Sequence, residues 1–123
     1  MADYLPKFTG ASATFTASEA IIGGRLVAVA GNRLVAQASA DSPTVVGVSG
    51  YDAVTGDPMT VYTRPSGVHS LVASGAIEAG AKVISATAGR VATITTGTET
   101  GVNPIGIALE AAADLDVVDV LLT

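Results

Sequence analysis

The stretch Arg25–Ala38 runs RLVAVA, GN, RLVAQA: two six-residue segments of almost the same sequence on either side of Gly31-Asn32. Both segments are rich in Val and Leu and short, which is strand composition and strand length. Gly31 and Asn32 both tolerate a positive φ, as two-residue hairpin turns of the primed types require, so the stretch predicts a β-hairpin. Lys82–Ala86 (KVISA) and Arg90–Thr95 (RVATIT) predict a second hairpin around Thr87–Gly89. Between other Gly-containing turns lie further strand candidates at Thr44–Val48, Met59–Thr63, Val68–Ala73, Ile105–Ala108 and Val117–Leu122. Only Leu109–Leu115 (LEAAADL) gathers strong helix formers, enough for a short helical turn. The chain reads as all-β.

Working outward from the first hairpin, the two halves of the sequence align. Ala20–Val27 (AIIGGRLV) matches Ala76–Val83 (AIEAGAKV), with residue 20 falling on residue 76. Val46–Thr63 matches Ile105–Leu122, which places Gly47 on Gly106, Ala53 on Ala112, Asp57 on Asp116 and Val61 on Val120. Each half is then a Gly-containing turn, a hairpin, a strand with a central Gly, a short Ala-containing turn, an Asp and a closing strand. Repeats of this kind imply one supersecondary unit used twice. The expectation is a compact β-domain over residues 17–123, with halves of about 20–63 and 76–122 related by a pseudo-two-fold.

Composition limits what such a domain does. In 123 residues there are 22 Ala and 16 Val, against 19 Ile, Leu, Phe and Met together, so each buried position removes little surface from water. The core of one chain is expected to be thin, and oligomerisation is the favoured remedy because the chain has no Cys and one His, which excludes disulfides and argues against structural zinc. A net charge of -5 and five aromatic residues argue against nucleic acid, which needs clustered Lys and Arg or stacking platforms. The longest run free of Asp, Glu, Lys and Arg is residues 65–77, too short to cross a bilayer. The N-terminus, MADYLPKFTG, lacks the pattern of a secretory signal.

Residues 1–16 stand outside both copies and hold Tyr4, Phe8 and Phe15, three of the five aromatics, beside Leu5, Pro6 and Lys7. Two readings are open: an N-terminal arm that docks on a partner, or a first strand of the domain's own sheet. In the first, composition nominates Tyr4, Leu5, Lys7 and Phe8 as binding residues, since exposed aromatics are typical interface anchors.

No catalytic constellation stands out. His69 lies in Gly67-Val68-His69-Ser70-Leu71, with no Gly-x-Ser-x-Gly elbow anywhere in the chain, and reads as a packed or interface side chain. Asp114, Asp116 and Asp119 lack the Gly and late Glu of a calcium loop and read as solvated charge. Gly23-Gly24 is followed by Arg25-Leu26 and reads as a turn pair, with no phosphate-binding loop. Asp57 and Asp116 occupy matched places in the two halves, which implies a shared structural task in the turn before the last strand. No enzyme, cofactor or metal is expected.

Taken in order and spacing, AIIGGRLV at 20–27, Val45-Val46-Gly47-Val48, Tyr51–Asp57 with Val61, AIEAGAKV at 76–83 and Pro104–Leu109 resemble the small capsid decoration, or cement, proteins of tailed bacteriophages. The resemblance spans nearly the whole chain, through motifs of common small residues. It implies a β-clip or β-tulip-like barrel domain that binds the major capsid protein on the outer surface of an expanded shell, as a homotrimer at three-fold or quasi-three-fold sites. Such a protein is made in the host cytoplasm and resides in the virion, where it stabilises the shell against internal DNA pressure. Neither nucleic acid nor membrane is an expected partner. Alternatives are a tail or fibre component, a carbohydrate-binding adhesive β-module, disfavoured by the absence of Trp, and a trimeric β-clip enzyme of the dUTPase kind, whose nucleotide motifs are not found.

Overall fold

The computed structural model describes residues 12–64, 67–94 and 102–123. The described strands are β1 (Ser12–Ala17), β2 (Leu26–Gly31), β3 (Leu34–Gln37), β4 (Val45–Ser49), β5 (Pro58–Thr63), β6 (Val68–Val72), β7 (Lys82–Ala86), β8 (Arg90–Thr93), β9 (Gly106–Ala108) and β10 (Val117–Leu122). The first five close into a small barrel in the order β1-β3-β2-β4-β5, and the second five form a sheet in the order β6-β10-β9-β7-β8.

The β7–β8 hairpin turns at Thr87–Gly89, where the sequence places it. The β2–β3 hairpin forms too, but its tip is Asn32-Arg33, because Gly31 pairs with Leu34 and the positive φ falls on Arg33, at 58°. A register shift between Val29 and Gly31 takes up one extra residue and moves the turn along by one, which is what a bulge does. Leu109–Leu115 is not helical, and no α-helix occurs among the described residues. Its backbone is spent on distant partners instead, with Ala112 N–H donating to Ile77 O at 2.9 Å and Leu115 N–H to Ala73 O at 2.8 Å. Tertiary bonds of this kind outweigh the weak helical preference of so short a segment.

The two halves share a set of matched backbone contacts. The bridge Ile21↔Ala53 recurs as Ile77↔Ala112. Ala17 N–H donates to Asp57 O at 2.9 Å and Ala73 N–H to Asp116 O at 2.8 Å; Asp57 N–H donates to Val54 O and Asp116 N–H to Ala113 O. Gly24 and Gly80 share a left-handed φ of 79° and 85°. The correspondence reaches further back than the sequence alignment: β1 pairs with β5 as β6 pairs with β10, Thr16↔Pro58 matching Val72↔Val117. Residues 12–16, which the sequence left between an arm and a first strand, stand in β1, with Phe15 packed on the barrel core and the Arg33 guanidinium 6.0 Å from its ring centroid. Residues 1–11 lie outside the described residues.

Closure separates the halves. In the barrel, β1 and β3 pair in parallel through Thr16↔Leu34 and Ala17↔Val35, whereas the matching strands β6 and β8 meet at one parallel bridge, Ala73↔Val91. The barrel encloses its own small core of Ala17, Ile21, Val27, Val35, Ala53, Met59 and Val61. A larger core joins Leu26, Ala28, Ala38, Val45 and Val48, from the barrel wall, to Leu71, Ile77, Val83, Val91, Val118, Val120 and other residues of the second half. Among described residues the buried apolar set is seven Ala and nine Val against seven larger residues, none of them aromatic, so the core is as thin as composition implied. A two-fold between the halves would bury both members of each matched pair. Burial is one-sided instead: Leu26 and Val48 are buried, while their counterparts Lys82 and Ile107 are exposed.

Two predictions follow from the matched glycine positions and their neighbours. A Cβ at Gly47 would lie 2.0 Å from Tyr62 O, and at Gly106 2.3 Å from Leu121 O, both backbone atoms that cannot move alone. Gly47→Ala and Gly106→Ala should each destabilise the domain by about 3 kcal/mol or more, measured by urea unfolding. Thr63 Oγ1 is buried with no hydrogen-bond partner among the described residues, and its counterpart in the second half is Leu122. Thr63→Val should be neutral or stabilising by about 1 kcal/mol, because it removes an unpaired polar atom at constant shape.

Candidate functional site

Tyr4, Leu5, Lys7 and Phe8 lie outside the described residues. The other residues singled out in the sequence are placed; Asp57 and Asp116 share the backbone bond of their turn, N–H to the carbonyl of Val54 and of Ala113, but among the described residues only Asp57 also caps it with its side chain. Asp57 Oδ2 accepts Val54 N–H at 3.2 Å, capping the turn before β5. Asp114 Oδ1 accepts Gly75 N–H at 2.7 Å, and Asp52 Oδ1 accepts Gly23 N–H at 2.7 Å, each tying one loop of its unit to another. Asp119 Oδ1 accepts Ser70 Oγ–H at 2.7 Å across β10 and β6. Gly24 has the left-handed φ of a turn, and Gly23 sits so close to Tyr51 that a Cβ would lie 2.9 Å from its Cα, as a turn pair requires. Among the described residues no group of three His, Asp or Glu side chains is placed to hold a metal ion.

What the described surface does present is rigid, half-exposed apolar material. Tyr51 is 49% exposed, yet its hydroxyl accepts Thr60 N–H at 3.2 Å and donates to Pro58 O at 3.3 Å, so the ring is held against the start of β5. Ile22 and Val54 are exposed on the same pair of loops, either side of the Ile21↔Ala53 bridge. Tyr62, on the barrel wall, stacks at a tilt on His69 of β6, with ring centroids 6.1 Å apart. On the second sheet Val68, Leu121 and Ile107 lie side by side on β6, β10 and β9 and are all exposed. A pre-ordered aromatic with one polar end tied down is a low-entropy contact group. The sequence alone pointed to terminal aromatics and passed over Tyr51 and Tyr62. The signal for Tyr51 is its position in a repeat whose second copy carries Glu110, which argues against a buried role common to both halves; Tyr62, matched by Leu121, carries no such signal.

His69 also has a consequence for stability. Partial burial at the seam with Tyr62 disfavours the imidazolium and holds its pKa below the ordinary 6.5. The unfolded chain therefore takes up the proton first as pH falls, so the contribution of neutral His69 is complete above 6.5 and is lost as pH drops below that value toward the folded pKa. Melting temperatures measured from pH 7.5 down to 5 should show a small decline in this window, and His69→Gln should remove it.

The geometry invites comparison with known proteins. Among curated protein sequences, none matches this chain. In fold, the chain is similar to the N base of the head fiber gp8.5 of bacteriophage phi29, at a TM-score of 0.70 and 20% identity, over 91% of this chain and 92% of that one. The model of the phage cement protein family matches residues 8–122. A match of that extent covers both β-units and every described strand. The chain belongs to the phage cement protein family, non-enzymatic structural components of the phage capsid.

Proposed function

We propose that this cement protein binds the outer surface of an expanded phage capsid as a homotrimer at three-fold or quasi-three-fold sites and stabilises the shell against internal DNA pressure. The observation that carries the reading is the family match over residues 8–122. Mechanically, a protein that binds the assembled lattice and not its dissociated parts shifts the equilibrium toward the lattice. Three linked copies add avidity without any tighter single contact. A thin core and surfaces held by backbone hydrogen bonds suit this role, which asks for shape and not for turnover. The finer description of the domain as a duplicated, β-clip or β-tulip-like unit belongs to the same proposal; the matched hydrogen bonds of the two halves support the duplication.

Tyr4, Leu5, Lys7 and Phe8 are proposed as capsid contacts. The family match begins at residue 8, so of these four only Phe8 lies within it. An extended segment of this kind can add a strand to an exposed sheet edge, with aromatic side chains supplying specificity. A second reading, a base that carries a fibre on the head, is favoured by the likeness to the phi29 head fiber base.

Co-sedimentation with decoration-free expanded capsids tests the proposal. Saturation at a copy number fitting three-fold sites, with a raised shell melting temperature, is the expected result, and no binding to any capsid form would overturn it. Removing residues 1–8 should weaken binding by about tenfold or more while the far-ultraviolet spectrum and melting temperature hold. Unchanged binding would sink the arm as a contact.

A further inference from the structure

The one-sided burial of the two halves exposes a joint that the chain uses once and offers a second time. On the barrel wall, Leu26, Ala28, Ala38, Val45 and Val48 are buried in the core shared with the second half. The turn between β7 and β8 seals the end of this face. Gly89 N–H donates to Ala38 O at 2.9 Å, Arg25 Nη1–H to Ala88 O at 2.8 Å, Asp41 N–H to Ser85 O at 2.8 Å and Ser85 Oγ–H to Ser39 O at 2.8 Å. The wall is a socket and the turn of the next unit is its plug.

Both parts recur, facing outward. The residues matching the socket are Lys82, Ile84, Ile94, Pro104 and Ile107, of which Lys82, Pro104 and Ile107 are exposed and Ile84 and Ile94 half-buried. Ile107 continues through its register partner Leu121 to Val68, making an apolar row across three strands. Two hollows flank Lys82: one of about 210 Å³ against Pro104, Ile107 and Thr123, the other of about 180 Å³ against Ala81, Thr93 and Ile94. The residues matching the plug are the β2–β3 turn, Val29 to Arg33, and every one of them is exposed.

We infer that the outward face of the second sheet is the docking site for a second copy of this chain, which inserts its β2–β3 turn there as the β7–β8 turn seats on the barrel wall. The occupant is identified by the chain itself, because a unit of the same fold already packs on the same face one repeat earlier. The joint is heterologous: each chain gives a plug to one neighbour and a socket to the other, so copies close into a ring or run on in a line. Two substitutions make this outer joint looser than the inner one. Gly89 fits where a Cβ would lie 2.6 Å from Leu26 O, and the outer plug carries Arg33 at that place, which sets the turn further out over the hollows. Lys82 replaces Leu26, and its long stem covers apolar surface while the ammonium stays in water, as suits a face that is wet in the free chain.

The absence of Cys makes the test direct. A variant with both Asn32→Cys and Lys82→Cys, mildly oxidised, should form interchain disulfides in dimers and higher species on a non-reducing gel, while each single variant stays largely monomeric. No interchain product from the double variant, or equal cross-linking by a single one, would overturn the proposal. Independently, Ile107→Glu, on the exposed side of β9, should keep the far-ultraviolet spectrum and weaken self-association about tenfold or more by sedimentation velocity. A wild-type chain that is monomeric at the highest attainable concentration, or an Ile107→Glu chain that associates as wild type does, would also overturn it. The inference rests on the homotrimer part of the proposed function and names its interface: a chain that stays monomeric counts against both, whereas self-association without the residue 32 to residue 82 cross-link overturns this joint alone, and capsid binding is read separately by co-sedimentation.

Discussion

A backbone crossing too close for any side chain shapes both halves of this molecule. Gly47 in β4 and Gly106 in β9 lie against the carbonyls of Tyr62 and Leu121, where even a methyl group would overlap a backbone oxygen. Glycine inside a strand costs chain entropy and contributes no packing, so its place there needs a compensating close approach. Here the approach brings the strand before the loop and the strand after it together tightly enough to coil a five-stranded unit of Val and Ala around a narrow core. The small core residues and the two glycines are one solution: the buried side chains of the described core include no aromatic, and Phe15 packs on the barrel core half-buried.

Two such units do not pack as mirror partners. The wall of the first is covered by the second, and the equivalent wall of the second faces water. Head-to-tail packing has a physical consequence that a two-fold lacks, since each added unit buries one face and exposes another of the same kind. The open pairing of β6 with β8, one bridge where the barrel has a closed seam, fits the same arrangement. The second unit shares its core with the barrel wall, whereas the first encloses a core by itself.

The loops of both units are fixed by side-chain hydrogen bonds. Four carboxylates accept from N–H groups and a hydroxyl: Asp52 from Gly23, Asp57 from Val54, Asp114 from Gly75 and Asp119 from Ser70. They hold loops in place, and the loops hold exposed apolar groups such as Tyr51 at fixed positions. Rigid presentation lowers the entropy lost on binding, which matters when many weak contacts act together.

Strand composition, turn dipeptides and the repeat at matched spacing were readable in the chain because they depend on neighbours in sequence. RLVAVA and RLVAQA announced a hairpin, Thr87–Gly89 a turn, and the alignment of Gly47 with Gly106 two equivalent crossings. Family resemblance was legible for the same reason, through order and spacing of small residues. What lay beyond local sequence was decided by long-range bonds. The helix formers of Leu109–Leu115 gave way to hydrogen bonds with Ile77 and Ala73, and Phe15 left the supposed arm to close the barrel beside Val35 and Met59. Above all, sequence determined two similar β-units, and only tertiary structure decided which face of each is buried. Leu26 and Lys82 hold the same place in the repeat, and the difference between core and surface comes from which unit has a neighbour packed against it.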